Sequence, residues 1–136
     1  MATVHLLTDA EAEADPAIKA VFDDIRATRK SDLVNNFWRG LANDPENLAR
    51  VWGQLKTVMT GQTVLDPAVQ EMIYIAVSTA NTCSYCVHSH TAAARNKGMT
   101  PPQHAELLAI IALAGQTNML ATAMQLPIDA AFLVEG

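Results

Sequence analysis

Apolar residues recur along this chain at intervals of three and four, the spacing of one face of an α-helix. After Asp15-Pro16, the residues Ile18, Val21, Phe22 and Ile25 keep that spacing and predict a first helix to about Arg29. Aspartate before proline is a start signal. The carboxylate caps free N–H groups, and proline lacks the N–H that a first turn would leave unpaired. A shorter helix is expected from about Asp32 to Ala42. The start signal recurs at Asp44-Pro45, where Leu48, Val51, Trp52, Leu55 and Val58 form the apolar stripe of a helix ending near Gly61.

A third such pair, Asp66-Pro67, opens a helix through Val69, Met72, Ile73, Ala76 and Val77 to about Asn81. The next helix begins at Cys83 or Ser84 and runs to Lys97, with Gly98 suited to close it. Thr100-Pro101 opens a helix to about Ala114; Gly115 is expected to break it, and Thr117 to Gln125 to form a short last one. The tail from Ile128 to Gly136 carries no assignable pattern. No pair of alternating apolar runs joined by a tight turn is present, so a sheet is not expected. The expectation is an all-α, single-domain bundle of about six to seven helices over residues 1–136.

Composition supports helices. The chain is 50% hydrophobic but only 5% aromatic and 17% charged, with alanine, leucine and methionine supplying most of the apolar share. So few charges cannot cover the whole surface, which predicts apolar faces buried against further copies of the chain. Leu107 to Leu113, apolar nearly all round, is expected to be buried on most sides, within the chain or at a subunit interface. The net charge of −5 argues against nucleic-acid binding, which relies on clustered lysine and arginine. Met1 to Asp9 lacks the plan of a secretory signal. The stretch from Leu107 to Gly115 is about half the roughly 20 residues of a membrane-spanning helix. A soluble cytoplasmic protein is expected, a setting in which thiols rest reduced.

The chemistry concentrates in one segment. The two cysteines form the pair Cys83-x-x-Cys86, His90 follows Cys86 by four residues, and Glu71 precedes Cys83 by twelve. With no other cysteine in the chain, the pair is either a redox couple or most of a metal site. A thiolate, not a thiol, is the nucleophile, and the free N–H groups at the start of a helix favour the anion. Cys86 and His90, four apart, share a helix face. If the helix of Glu71 packs antiparallel to theirs, its carboxylate can orient His90, and His90 can take the proton of Cys86. Cys83, one turn away, can then resolve an oxidised Cys86 as an internal disulfide, an arrangement suited to peroxide reduction.

Glu71, the interval of twelve and Cys83-x-x-Cys86-x-x-x-His90 resemble the signature of the alkylhydroperoxidase D / carboxymuconolactone decarboxylase family, over about Pro67 to Gly98. The resemblance implies an all-α fold assembling as trimers or hexamers, and a peroxidase acting on small hydroperoxides. It also implies recharging by a dithiol partner such as lipoamide, with no cofactor. Carried over by position, Cys86 attacks peroxide, Cys83 resolves, and Glu71 and His90 form the proton relay. One position departs: the best-studied branch has histidine just before the second cysteine, where this chain has Tyr85. A phenol is a poor base at neutral pH but can donate a hydrogen bond. The lactone decarboxylases of the same superfamily lack the paired cysteines.

Competing readings attach to the same residues. Zinc could be held by Cys83, Cys86, His90 and either Glu71 or His88, but a structural site usually draws its four ligands from two knuckles and no second knuckle exists. A lyase could use Glu71 and His90 alone. His88 is turned away from the face of Cys86 and His90 and is expected at the surface, as are His5 and His104. Tyr85 and Ser78, the latter seven residues after Glu71, are possible accessory residues.

Overall fold

The computed structural model describes residues 1–133; residues 134–136 lie outside the described part. It is all-helical, with no strand among the described residues. In chain order the helices are α1 (Asp9–Ala14), α2 (Pro16–Arg29), α3 (Asn36–Leu41), α4 (Pro45–Thr60), α5 (Pro67–Ala80), α6 (Ser84–Asn96) and α7 (Pro101–Ala123), followed by a single 3-10 turn, Ala130–Phe132. All three aspartate–proline pairs start helices. Asp15 accepts from the N–H groups of Ala17 and Ile18, Asp44 from that of Asn47, and Asp66 from that of Ala68. Two helices open with reciprocal caps, Thr8 with Glu11 in α1 and Thr100 with Gln103 in α7.

The chain divides into two compact units, Met1–Thr63 and Val64–Gly136. The first is built on a core of Phe22, Ile25, Val34, Trp38, Leu48 and Trp52, joined by Ala12, Ile18 and Ala42. Trp38 and Trp52 meet edge to face with centroids 5.3 Å apart. Such contacts add to the burial of two large rings. The Trp52 indole N–H donates to Asp24 at 2.7 Å, and Lys56 pairs with the same carboxylate at 2.8 Å. Arg39 ties the N-terminal segment down by donating to the Leu7 carbonyl at 2.7 Å and the Val34 carbonyl at 2.9 Å.

In the second unit α5 and α6 pack on each other and α7 packs on α5. Its core cluster is Ile75, Ala94 and Met99, with Met72, Leu107 and Ile111 against them, and Ala68 is buried at the start of α5. The α5–α6 reversal is tight. The Cys83 N–H reaches the Ser78 carbonyl at 2.9 Å, and that of Thr82 reaches Thr79 at 3.1 Å. This helix ending needs a left-handed residue, usually glycine, at the position Thr82 holds with φ 55°. A β-branched residue there carries strain. Helix α6 closes the same way with the residue the geometry favours, Gly98 at φ 97°. The Met99 N–H reaches the Ala94 carbonyl at 2.9 Å, and Met99 itself is buried.

One expectation is corrected. Gly115 does not break the chain's last long helix: α7 runs unbroken for 23 residues. A lone glycine costs only about 1 kcal/mol relative to alanine, and the alanines and leucines around it carry the helix through. Within the single chain no residue of α7 is fully buried, and Leu108, Ile110, Leu113, Met119 and Leu120 are all exposed, so burial of Leu107 to Leu113 is not met inside the chain. With a mean hydropathy of 1.3 over its most apolar window, it is the one described helix long and apolar enough to cross a membrane.

Candidate active site

The residues singled out by spacing converge where α5 and α6 pack together. Cys83 is the N-cap of α6, and its sulfur accepts from the Cys86 backbone N–H at 3.3 Å. Cys83 and Cys86 are joined as a disulfide, with Cα atoms 5.4 Å apart, and both are half-buried. The sulfurs therefore sit where unpaired N–H groups and the positive end of the helix dipole stabilise negative charge. His90 lies one turn further along the face of Cys86.

Glu71 projects from the middle of α5 and is only 4% exposed. Its Oε2 lies 2.6 Å from His90 Nδ1, and its Oε1 accepts from Lys97 Nζ at 2.5 Å. Burial alone would raise the carboxyl above its ordinary value. The hydrogen bonds from His90 and Lys97, with the lysine's charge, outweigh burial and hold it below that value. Glu71 is thus an anion at neutral pH, and a buried anion is tolerable only because both oxygens are engaged. The bond to Glu71 places the imidazole proton on Nδ1, which makes Nε2 the nitrogen able to accept a proton from a thiol.

Two contacts were not foreseen from sequence. Tyr74 stacks flat on the His90 ring, with centroids 3.9 Å apart and planes 16° from parallel. Lys97 completes the coordination of Glu71. Both had a readable signal, since Tyr74 is three residues after Glu71 and Lys97 seven after His90, spacings that keep them on the relevant faces. Of the accessory residues, Ser78 is buried and its carbonyl anchors the Cys83 N–H, whereas Tyr85 is 44% exposed. His88 is exposed. His5 is at the surface as expected, bonded to Glu11 at 2.9 Å. His104 is half-buried. Among the described residues no group of three or more histidines, cysteines or carboxylates is arranged to hold a metal ion.

Chemically, the arrangement offers a dithiol–disulfide pair at a helix start and a carboxylate–imidazole pair one turn away. Comparison with known proteins adds to this picture. Residues 45–129 match the carboxymuconolactone decarboxylase family. The chain is 41% identical over 69 residues to the alkyl hydroperoxide reductase AhpD of Mycobacteroides abscessus, a match covering 50% of the chain and 39% of that protein. It therefore spans well under two thirds of that relative's length. The fold also superposes, with a TM-score of 0.97, on the crystal structure of an alkylhydroperoxidase AhpD core from Rhodospirillum rubrum. That core is 72% identical to this chain, with 99% of each chain covered.

Proposed function

The chain belongs to the carboxymuconolactone decarboxylase family, and on that footing we propose that it is a thiol-dependent peroxidase, an alkyl hydroperoxide reductase or related disulfide oxidoreductase. The observation that carries the reading is the Cys83–Cys86 disulfide at the N-terminus of α6, one turn from an imidazole held by a buried carboxylate. The names borne by both matched proteins support the same chemistry.

In the reduced protein, His90 Nε2 takes the thiol proton of Cys86. The thiolate attacks one peroxide oxygen; the O–O bond breaks, and the departing alkoxide leaves as alcohol with the proton returned from His90. Cys86 is then a sulfenic acid, oxidised by two electrons. The Cys83 thiol attacks its sulfur, the S–S bond forms, and water departs. The disulfide seen here is the end of that half-cycle. A dithiol of the lipoamide type would restore it by exchange, attacking one sulfur and being oxidised to its own disulfide. Glu71 keeps the Nδ1 proton in place and stabilises the transient imidazolium. Tyr85 takes no proton in this scheme.

The setting we propose is the cytoplasm, with residues 1–136 acting as one domain of a homo-oligomer, a trimer or hexamer. The uncovered apolar length of α7 supports a partner copy. The test of function is turnover of an alkyl hydroperoxide with a dithiol as the sole reductant. Cys86→Ser should abolish turnover, and Cys83→Ser should leave a sulfenic acid that a dimedone probe traps. A second reading, a lyase using Glu71 and His90 for acid–base work, is favoured by the same carboxylate–imidazole pair. It requires that a decarboxylation or elimination survive replacement of both cysteines.

A further inference from the structure

Lys97 and Tyr74 hold the two residues of the relay from outside it. Lys97 Nζ donates to Glu71 Oε1 at 2.5 Å, while the other oxygen engages His90 at 2.6 Å. The Tyr74 ring covers one face of His90 at 3.9 Å. We propose that both are positioning residues: Lys97 keeps the Glu71 carboxylate the anionic acceptor of His90, and Tyr74 fixes the plane of the imidazole so that Nε2 is left for the thiol. The proposal deepens the peroxidase reading and rests on it.

The local fold explains how each residue reaches its place. Lys97 is the C-cap of α6, and the left-handed Gly98 behind it ends the helix there. Seven residues separate Lys97 from His90, two turns on one face, so the lysine stem runs along α6 toward Glu71 on α5. An exposed lysine pair contributes little because water competes for the charge. Here the acceptor side chain is 6% exposed and that of Lys97 32%. Water is largely excluded from one end of the pair, so the lysine charge acts on the carboxylate with little screening. Tyr74, on the same face of α5 as Glu71, meets the imidazole with its ring face, a contact that restricts rotation about the bond to the ring.

Removing the lysine takes away one of the contacts that hold the Glu71 carboxyl below its ordinary value, while burial still pushes it up. A protonated Glu71 no longer accepts from Nδ1, so the relay is oriented only at higher pH. The titratable groups that meet His90 and Glu71 are Tyr74 from α5 and Lys97 from α6. Helix α7, which packs on α5, carries His104 and Glu106, neither of which makes a hydrogen bond or ion pair with this cluster among the described residues.

The experiment is the pH dependence of alkylation of the reduced protein by iodoacetamide, a neutral reagent, followed by mass. Lys97→Met and Lys97→Gln should each shift the acid limb upward by about one pH unit, and Lys97→Arg should restore it. Tyr74→Ala should slow alkylation roughly tenfold on the plateau, and Tyr74→Phe, which keeps the stacked ring, should not. A merely structural role would lower melting temperatures and leave the limb unmoved. An acid limb unchanged in both Lys97→Met and Lys97→Gln, or a plateau unchanged in Tyr74→Ala, overturns the proposal. Because the assay contains no peroxide, a protein that alkylates as described but does not reduce peroxide would contradict the peroxidase reading and leave this one standing.

Discussion

The two compact units of the chain use burial in opposite ways. Met1–Thr63 encloses nine buried apolar residues, two tryptophans among them, and its polar contacts lie around that core. Val64–Gly136 encloses four among the described residues, all but Ile75 and Met99 being alanines, and surrounds a buried glutamate with an imidazole and an ammonium beside a pair of sulfurs. It also carries a 23-residue apolar helix that packs on α5 through Leu107 and Ile111 but has no fully buried residue. The first unit has what a stable core requires. The second devotes its interior to holding charge in place and leaves much of the apolar length of α7 exposed.

That contrast can be broken most sharply at the sulfurs. Cys86→Ser should reduce peroxide turnover by at least about a thousandfold, some 4 kcal/mol of barrier, without lowering the unfolding midpoint of the reduced protein. In the first unit the reverse should hold. Trp52→Ala removes a ring from the core and one of the donors to Asp24, and should cost roughly 3–5 kcal/mol in urea unfolding. Thiol alkylation in the surviving folded fraction should be unaltered.

Smaller effects sharpen the distinction. Glu71→Gln removes the anionic acceptor of His90 and should slow peroxide turnover by about 10–100-fold. It should also alter the response to acid. Because the folded protein holds the Glu71 carboxyl below its ordinary 4.5, its contribution to stability is present above that pH. The contribution is lost as pH falls through the lowered value. Melting curves between neutral pH and pH 3 should therefore fall more steeply for the wild type than for Glu71→Gln.

On α7, Ile110→Glu with Leu113→Glu should weaken self-association by more than about tenfold, read by light scattering against concentration. The smallest effect is at the α5–α6 turn. Thr82→Gly relieves a left-handed threonine and should stabilise the chain by up to about 1 kcal/mol, the greater freedom of glycine in the unfolded state offsetting part of the gain.

Much of this was legible in the residues, for reasons that differ between elements. Asp15-Pro16, Asp44-Pro45, Asp66-Pro67 and Thr100-Pro101 mark helix starts because capping is local chemistry, decided within four residues. Helix α1 escaped notice because six residues are too few to show a period, although Thr8 and Glu11 spell a reciprocal cap. The continuity of α7 through Gly115 was hidden because glycine only weakens a helix, and its neighbours decide the outcome. At the site, Glu71, Cys83, Cys86 and His90 stood out as rare reactive types at helical spacing. Lys97 and Tyr74 did not, since their spacings of seven from His90 and three from Glu71 place them on the right faces but become meaningful only once α5 lies against α6.

The most direct test treats fully reduced protein with one equivalent of an alkyl hydroperoxide and follows free thiols and intact mass together. Two thiols per chain should vanish as two hydrogens are lost and one alcohol appears, with the new bond mapped between Cys83 and Cys86. Thiols that outlast the peroxide, or peroxide consumed equally by a protein with serine at both positions, would contradict the account.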